Sequence, residues 1–183
     1  MARHILVLGG ARSGKTSFAE RLAMQYGSSP AYLATAEALD SEMAERVQTH
    51  QRQREGRFVT IEQPLALAET LRAAASHHDV VLVDCITLWI TNMLGAGENV
   101  ADGIEEVVTT LREMESTMTI FVSNEVGLGI VPDNAMARHF RDLAGSAHQR
   151  LAAICSDVYF VAAGLPVTLK GRPPEAPNGV LED

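Results

Sequence analysis

The segment GGARSGKT, from Gly9 to Thr16, sets a lysine and a hydroxyl directly behind a glycine-rich turn. It fits the spacing G-x-x-x-x-G-K-[ST], with the apolar run HILVLG before it and the helix-forming run KTSFAERLAMQYG after it. Each residue type has its own task. Gly9 and Gly14 permit backbone conformations that aim the N–H groups of the loop (Gly10, Ala11, Arg12 and Ser13) inward as an anion nest. The helix that follows adds the positive end of its dipole. Lys15 has the reach for the β- and γ-phosphates of a nucleoside triphosphate, and the Thr16 hydroxyl is suited to Mg²⁺. A second run, VVLVDC, ends on Asp84. An acid that closes a strand is commonplace as a cap, but beside such a loop it is a metal-holding carboxylate, acting directly or through water.

A histidine raises a second possibility. AERVQTHQRQREG, Ala44 to Gly56, sets His50 among Arg46, Arg52 and Arg54 on a stretch that reads as a helix. Leu39, Met43 and Val47 form an apolar stripe at four-residue spacing, and Arg46, His50 and Arg54 recur on an adjoining face. His50 therefore borders the buried side. Guanidiniums within a turn of it disfavour imidazolium, and a neutral imidazole has a lone pair with which to attack phosphorus. Spacing alone favours a solvated arginine-rich face, since His77, His78, His139 and His148 show how freely this chain places histidine.

Other groups are less decided. VSNEVGLGIVPDN clusters Ser123, Asn124 and Glu125 at the end of an apolar run, followed by Gly127 and Gly129. Substrate binding and a plain strand-to-helix connection suit it equally. Arg138, Arg141 and Asp142 read as a surface ion-pair set. Trp89 reads as core or subunit contact, and Cys85 as a small buried thiol.

The elements that must carry these residues alternate. Short apolar runs (HILVLG, AYLATA, RFVTIEQP, DVVLVDC, MTIFVSNE and, last, SDVYFVAAG) are separated by helical segments at 3.6-residue periodicity. The helix in NAMARHFRDLAGSAHQRLAAIC carries Gly145 as a possible break. This rhythm predicts an α/β fold, a mostly parallel sheet with helices on both sides. Ligands of such sheets lie beyond the carboxyl ends of the strands. That selects Gly9–Thr16, Ala34–Ala36, Glu62, Asp84–Cys85, Ser123–Gly129 and the segment after Ala163.

Composition narrows the function classes. At 183 residues with 46% hydrophobic and 21% charged residues, the chain reads as one globular domain over residues 1–170 with a Pro-rich tail over 171–183. A formal net charge of −8 without a basic block disfavours a nucleic-acid partner. No apolar run approaches a membrane span, and the start turns into the glycine loop without a signal-peptide pattern, so a cytoplasmic location is expected. Two cysteines give neither a disulfide framework nor metal spacing. The absence of N-K-x-D argues against a switch-type GTPase and leaves guanine binding by other means open. A monofunctional P-loop kinase and a nucleotide-sensing module remain as alternatives.

Taken together, GGARSGKT, YLATAEALDSEMAERVQTHQRQR, DCITLWITN, SNEVGLGIVPDNAMARHFRDLAG and AGLPVTLK resemble the bifunctional adenosylcobinamide kinase / adenosylcobinamide-phosphate guanylyltransferase family of cobalamin biosynthesis. The resemblance runs in order from His4 to about Lys170. It implies a RecA-like P-loop NTPase core, a homotrimer, and two reactions. A nucleoside triphosphate, ATP or GTP, phosphorylates the aminopropanol hydroxyl of adenosylcobinamide. GTP then gives GMP to an enzyme histidine, releasing pyrophosphate, and the GMP passes to adenosylcobinamide phosphate to form adenosylcobinamide-GDP. The matching histidine is His50. The resemblance also implies nucleotide contacts at Gly9–Thr16, at Ala34, Thr35 and Ala36, at Gln51, Arg52, Gln53 and Arg54, and at Glu62 and Asp84, with Mg²⁺ at Thr16 and Asp84.

Overall fold

The computed structural model describes residues 2–36 and 56–174. The stretch Ala44–Gly56, read as a helix, falls, but for Gly56, outside the described residues, and with it His50 and Gln51–Arg54. So does the tail beyond residue 174.

The apolar runs form strands β1 (His4–Gly9), β2 (Ala31–Ala34), β3 (Val59–Glu62), β4 (Val80–Asp84), β5 (Met118–Asn124), β6 (Asp157–Ala162) and β7 (Leu165–Lys170). The helices between them are α1 (Lys15–Tyr26), α2 (Leu67–Ala75), α3 (Ile86–Ala96), α4 (Val100–Glu113) and α5 (Ala135–Ile154). One sheet results, in the order β3-β2-β4-β5-β1-β6-β7. Every pairing is parallel except β6 with β7.

The inner strands β1, β2, β4 and β5 lack polar alternation because both faces are buried. Leu6, Val81, Val83, Phe121 and Val158 pack on one face under α2, α3, α4 and α5. Ile5, Val7, Leu82, Ile120 and Val161 pack on the other against Phe18, Ala19 and Leu22 of α1. The mostly parallel sheet flanked by helices is thus the one that the alternation of elements predicts.

Three local expectations differ. Helix α3 lies where CITLWITN was read only for Trp89, which is indeed core at 2% exposure. SDVYFVAAG is not the last strand, because β7 returns antiparallel along its edge. Pro166 sits within that outermost strand, where a missing N–H costs no ladder bond on the open side. Helix α5 runs through Gly145 unbroken. Burial of Ala144, Ala147 and His148 around it outweighs the roughly 1 kcal/mol that an interior glycine costs.

The end of β7 is tied back to the sheet. Asp157 is buried and receives Arg3 Nε at 2.8 Å and Arg172 N at 2.8 Å. Burial pushes this carboxyl's pKa up, but the Arg3 and Arg172 hydrogen bonds outweigh it and hold the group below its ordinary range. Tyr159 Oη donates to Arg172 O, so the chain is fastened two residues past Lys170. Asp157→Ala should therefore lower the unfolding free energy by about 2–3 kcal/mol, the scale of hydrogen bonds to a charged group. Urea denaturation measures this, and an unchanged midpoint would refute it.

Candidate active site

The phosphate loop joins β1 to α1. Gly9 admits no side chain, since a Cβ there would lie 2.5 Å from Val161 O and 2.6 Å from Ser13 Oγ. Gly14 has φ +90°, in the left-handed region, and its open side meets the Gly164 Cα. Arg12 also adopts positive φ, at 55°. These conformations curl the loop around its own amides. Ser13 is buried and its hydroxyl has no hydrogen-bond partner among the described residues. Lys15 is 8% exposed, and its Nζ donates to Gly10 O at 3.0 Å. The cation is held inside the loop instead of extending into solvent.

Two neighbours brace the loop. Glu125 N donates to Gly9 O at 3.0 Å, fixing the end of β5 against the end of β1. Gly164 N, in the turn between β6 and β7, donates to Ser13 O at 2.8 Å.

Parallel register carries the remaining candidates to the same edge. Ala34 of β2 pairs with Glu62 of β3 on one side and Asp84 of β4 on the other. Asp84 Oδ2 accepts from Thr16 Oγ1 at 3.0 Å and from Tyr32 Oη at 2.7 Å. The candidate metal residues Thr16 and Asp84 are thus in contact. A hydroxyl and a carboxylate side by side form a hard oxygen donor set that fits Mg²⁺, which binds few protein ligands and keeps water and phosphate oxygens. Among the described residues no larger His/Cys/Asp/Glu cluster competes for a metal. Glu62 is exposed at the end of β3, separated from β1 by β2, β4 and β5.

A polar chain then links the carboxyl ends of the inner strands. Thr35 Oγ1 donates to Cys85 O and accepts from Cys85 N, each at 2.8 Å. Asn92 of α3 donates from Nδ2 to Thr35 O at 2.7 Å and to Pro64 O at 3.1 Å. Thr87 Oγ1 accepts from Asn124 Nδ2 at 3.0 Å. Tyr32 and Asn92 were not foreseen as site residues. Tyr32 lies in an apolar run that conceals its hydroxyl, and the Asn92 amide acts across 57 residues of sequence.

His148 is a further unforeseen member. Its Nε2 is 2.7 Å from Ser123 Oγ, and its Nδ1 faces the Glu125 carboxylate at 3.7 Å. The arrangement suits a neutral imidazole that carries its proton toward Glu125 and accepts from the Ser123 hydroxyl. The Ser123–Glu125 segment therefore does more than connect β5 to α5. Arg141 does pair with Asp142, at 3.0 Å, whereas Arg138 turns to the Pro132 and Asp133 carbonyls.

The family model described as cobinamide kinase / cobinamide phosphate guanyltransferase matches residues 5–169. The chain belongs to this family. As a member of the cobinamide kinase / cobinamide phosphate guanyltransferase family it is a bifunctional enzyme, a kinase and a guanylyltransferase. It is 47% identical over 170 residues to the bifunctional adenosylcobalamin biosynthesis protein CobP of Pseudomonas aeruginosa, covering 92% of this chain and 98% of that protein. It is 40% identical over 183 residues to the bifunctional adenosylcobalamin biosynthesis protein CobU of Salmonella typhimurium, covering 91% and 99%.

Solved structures agree on the fold of this family member. A KaiC-like protein from Pyrococcus horikoshii superposes with a TM-score of 0.51 at 15% identity, over 86% of this chain and 70% of that one. An ATPase of a bacterial type III secretion system superposes with a TM-score of 0.52 at 13% identity, over 91% and 56%. The likeness is one of fold, a mostly parallel sheet flanked by helices. Among the described residues no helix is long and apolar enough to cross a membrane.

Two buried histidines make stability depend on pH. Burial lowers the pKa of His148 against the opposing pull of Glu125, and burial lowers that of His4 against its bond to Leu111 O. Both imidazoles bind protons more readily in the unfolded chain, so their contribution is complete above about pH 6.5 and is lost as pH falls below it. Thermal unfolding from neutral to mildly acidic pH should show a falling Tm, and His148→Gln should flatten part of the slope. A slope identical in the variant would contradict the assignment to His148.

Proposed function

We propose that the enzyme phosphorylates adenosylcobinamide and then caps the product with GMP, using one phosphate loop for both reactions over residues 1–170. The observation that carries this reading is the contact between Thr16 and Asp84 at the mouth of a loop whose lysine is already enclosed.

In the kinase step, the oxygen of the aminopropanol hydroxyl attacks the γ-phosphorus of ATP or GTP. The bond to the β-γ bridging oxygen breaks, the hydroxyl proton is released, and a nucleoside diphosphate leaves. Amides of Gly10, Ala11, Arg12, Ser13 and Gly14 hold the phosphate oxygens, and the Ser13 hydroxyl, without a partner among the described residues, has a donor to spare. Lys15 exchanges Gly10 O for a phosphate oxygen, where its charge counters that developing in transfer. Thr16 and Asp84 would hold Mg²⁺, which when bound neutralises phosphate charge. Tyr32, by donating to Asp84, orients the carboxylate.

In the second reaction, a neutral His50 nitrogen attacks the α-phosphorus of GTP and pyrophosphate leaves. A phosphate oxygen of adenosylcobinamide phosphate then displaces His50, giving adenosylcobinamide-GDP. A covalent guanylyl-histidine splits one difficult transfer into two in-line displacements. Gln51, Arg52, Gln53 and Arg54, after His50, would contact the nucleotide, together with Ala34, Thr35, Ala36 and Glu62. We further infer a homotrimer from the family resemblance, and a cytoplasmic location.

The protein incubated with α-labelled GTP and then denatured should retain label in an acid-labile, base-stable linkage, and His50→Asn should abolish it. Label that survives this substitution, or is absent from the wild type, would overturn the intermediate. Lys15→Ala and Asp84→Ala should each reduce cobinamide phosphorylation at least a hundredfold while leaving the far-UV circular dichroism unchanged. Activity near wild type in both would remove the phosphate loop from the reaction.

A further inference from the structure

Between β5 and α5 the chain presents apolar side chains that the fold leaves uncovered. Leu128 is 81% exposed, Ile130 98% and Met136 79%, and Val131 is exposed beside them. No charged residue occurs from Val126 to Pro132. Both ends of this strap are nevertheless pinned. At its start, Glu125 N is bonded to Gly9 O, and the Glu125 carboxylate accepts from Gly127 N and faces His148. At its end, Arg138 Nη1 donates to Pro132 O at 2.9 Å and Asp133 O at 2.7 Å, and Asn134 Oδ1 accepts from Ala137 N at 2.7 Å. An anchored apolar surface of this kind marks a binding site more often than a solvated loop.

We propose that this strap is the acceptor subsite, on which the methyl groups at the edge of the corrin ring lie while the aminopropanol arm reaches the phosphate loop. The proposal rests on the acceptor reading given above. Two observations select the corrin. The first is continuity: the residue that begins the strap is hydrogen-bonded to Gly9, and Asn124 pairs with Gly9 in the sheet, so the strap starts beside the phosphate loop. The second is chemistry. The nucleotide's polyanion is matched by the amides and Lys15, whereas the strap carries no charge and suits the methyl-bearing edge of a macrocycle that is not an anion. The other exposed apolar row, Leu165, Val167 and Leu169 on β7, starts beside Gly164 at the loop, but Val167 and Leu169 run back along β6 away from it.

The test uses the full chain carrying Leu128→Ser together with Ile130→Ser, two exposed positions whose substitution leaves the core intact. Kinase kinetics are measured with cobinamide and ATP, self-labelling with α-labelled GTP alone, and molar mass by light scattering. The expected result is a KM for cobinamide raised at least tenfold, with the ATP KM, the labelling and the mass unchanged. An unchanged cobinamide KM would overturn the subsite. A fall in molar mass would instead assign the strap to contact between copies of the chain. Wild-type protein that does not phosphorylate cobinamide at all would overturn the acceptor reading itself, an outcome separate from either.

Discussion

The parallel register of β3, β2, β4, β5 and β1 is the constraint on which the site depends. It brings the carboxyl ends of five strands to one edge, where the backbone of each has just left its ladder and must find other partners. Main chain and side chains meet that need together. Thr35 closes on Cys85 in both directions, Thr87 receives Asn124, and Glu125 N reaches Gly9 O. A shift in any one pairing would move a loop away from the phosphate position. The stitching keeps them on one level.

Electrostatics follow the same economy. Asp84 lies at the edge of an apolar core, where an unpartnered carboxylate is costly to desolvate. Thr16 and Tyr32 supply two donors to one oxygen, and they are the groups that keep it aimed at the loop. Lys15 poses the opposite problem, a cation enclosed in a glycine turn, and Gly10 O answers it. Both charged groups have protein partners and both lie beside oxygen or amide groups suited to a polyphosphate. Exchange of weak internal bonds for stronger ones to ligand costs less than organising the groups from solvent.

Much of this was legible from the sequence. The phosphate loop, Asp84 and the sheet were readable because their signals are local: a glycine spacing, an acid after an apolar run, an alternation of elements. Helix α3 was legible in principle, since Ile86, Trp89, Ile90 and Met93 recur at three- and four-residue spacing and all are buried. The β-branched and apolar residues between them obscured the period. Tyr32, Asn92 and the Ser123–His148 pair were not readable, because each acts on a partner 25 or more residues away. Non-local contacts leave no spacing to read. His50, the proposed nucleophile, owes its candidacy to family resemblance together with its place beside an apolar stripe.

The turn between β6 and β7 looks like the natural place to splice in a foreign peptide: a short, exposed hairpin tip near the edge of the molecule. Yet Gly164 gives its amide to Ser13 O, and its Cα lies 3.1 Å from where a Gly14 Cβ would be. The hairpin tip is therefore the outer wall of the glycine-rich loop. For anyone grafting a tag, a fluorophore or a circular-permutation break onto this chain, surface exposure would be a misleading guide at residues 163 and 164. A safer opening is the segment near Gly97, where the chain passes from α3 to α4 at a glycine with open space around it.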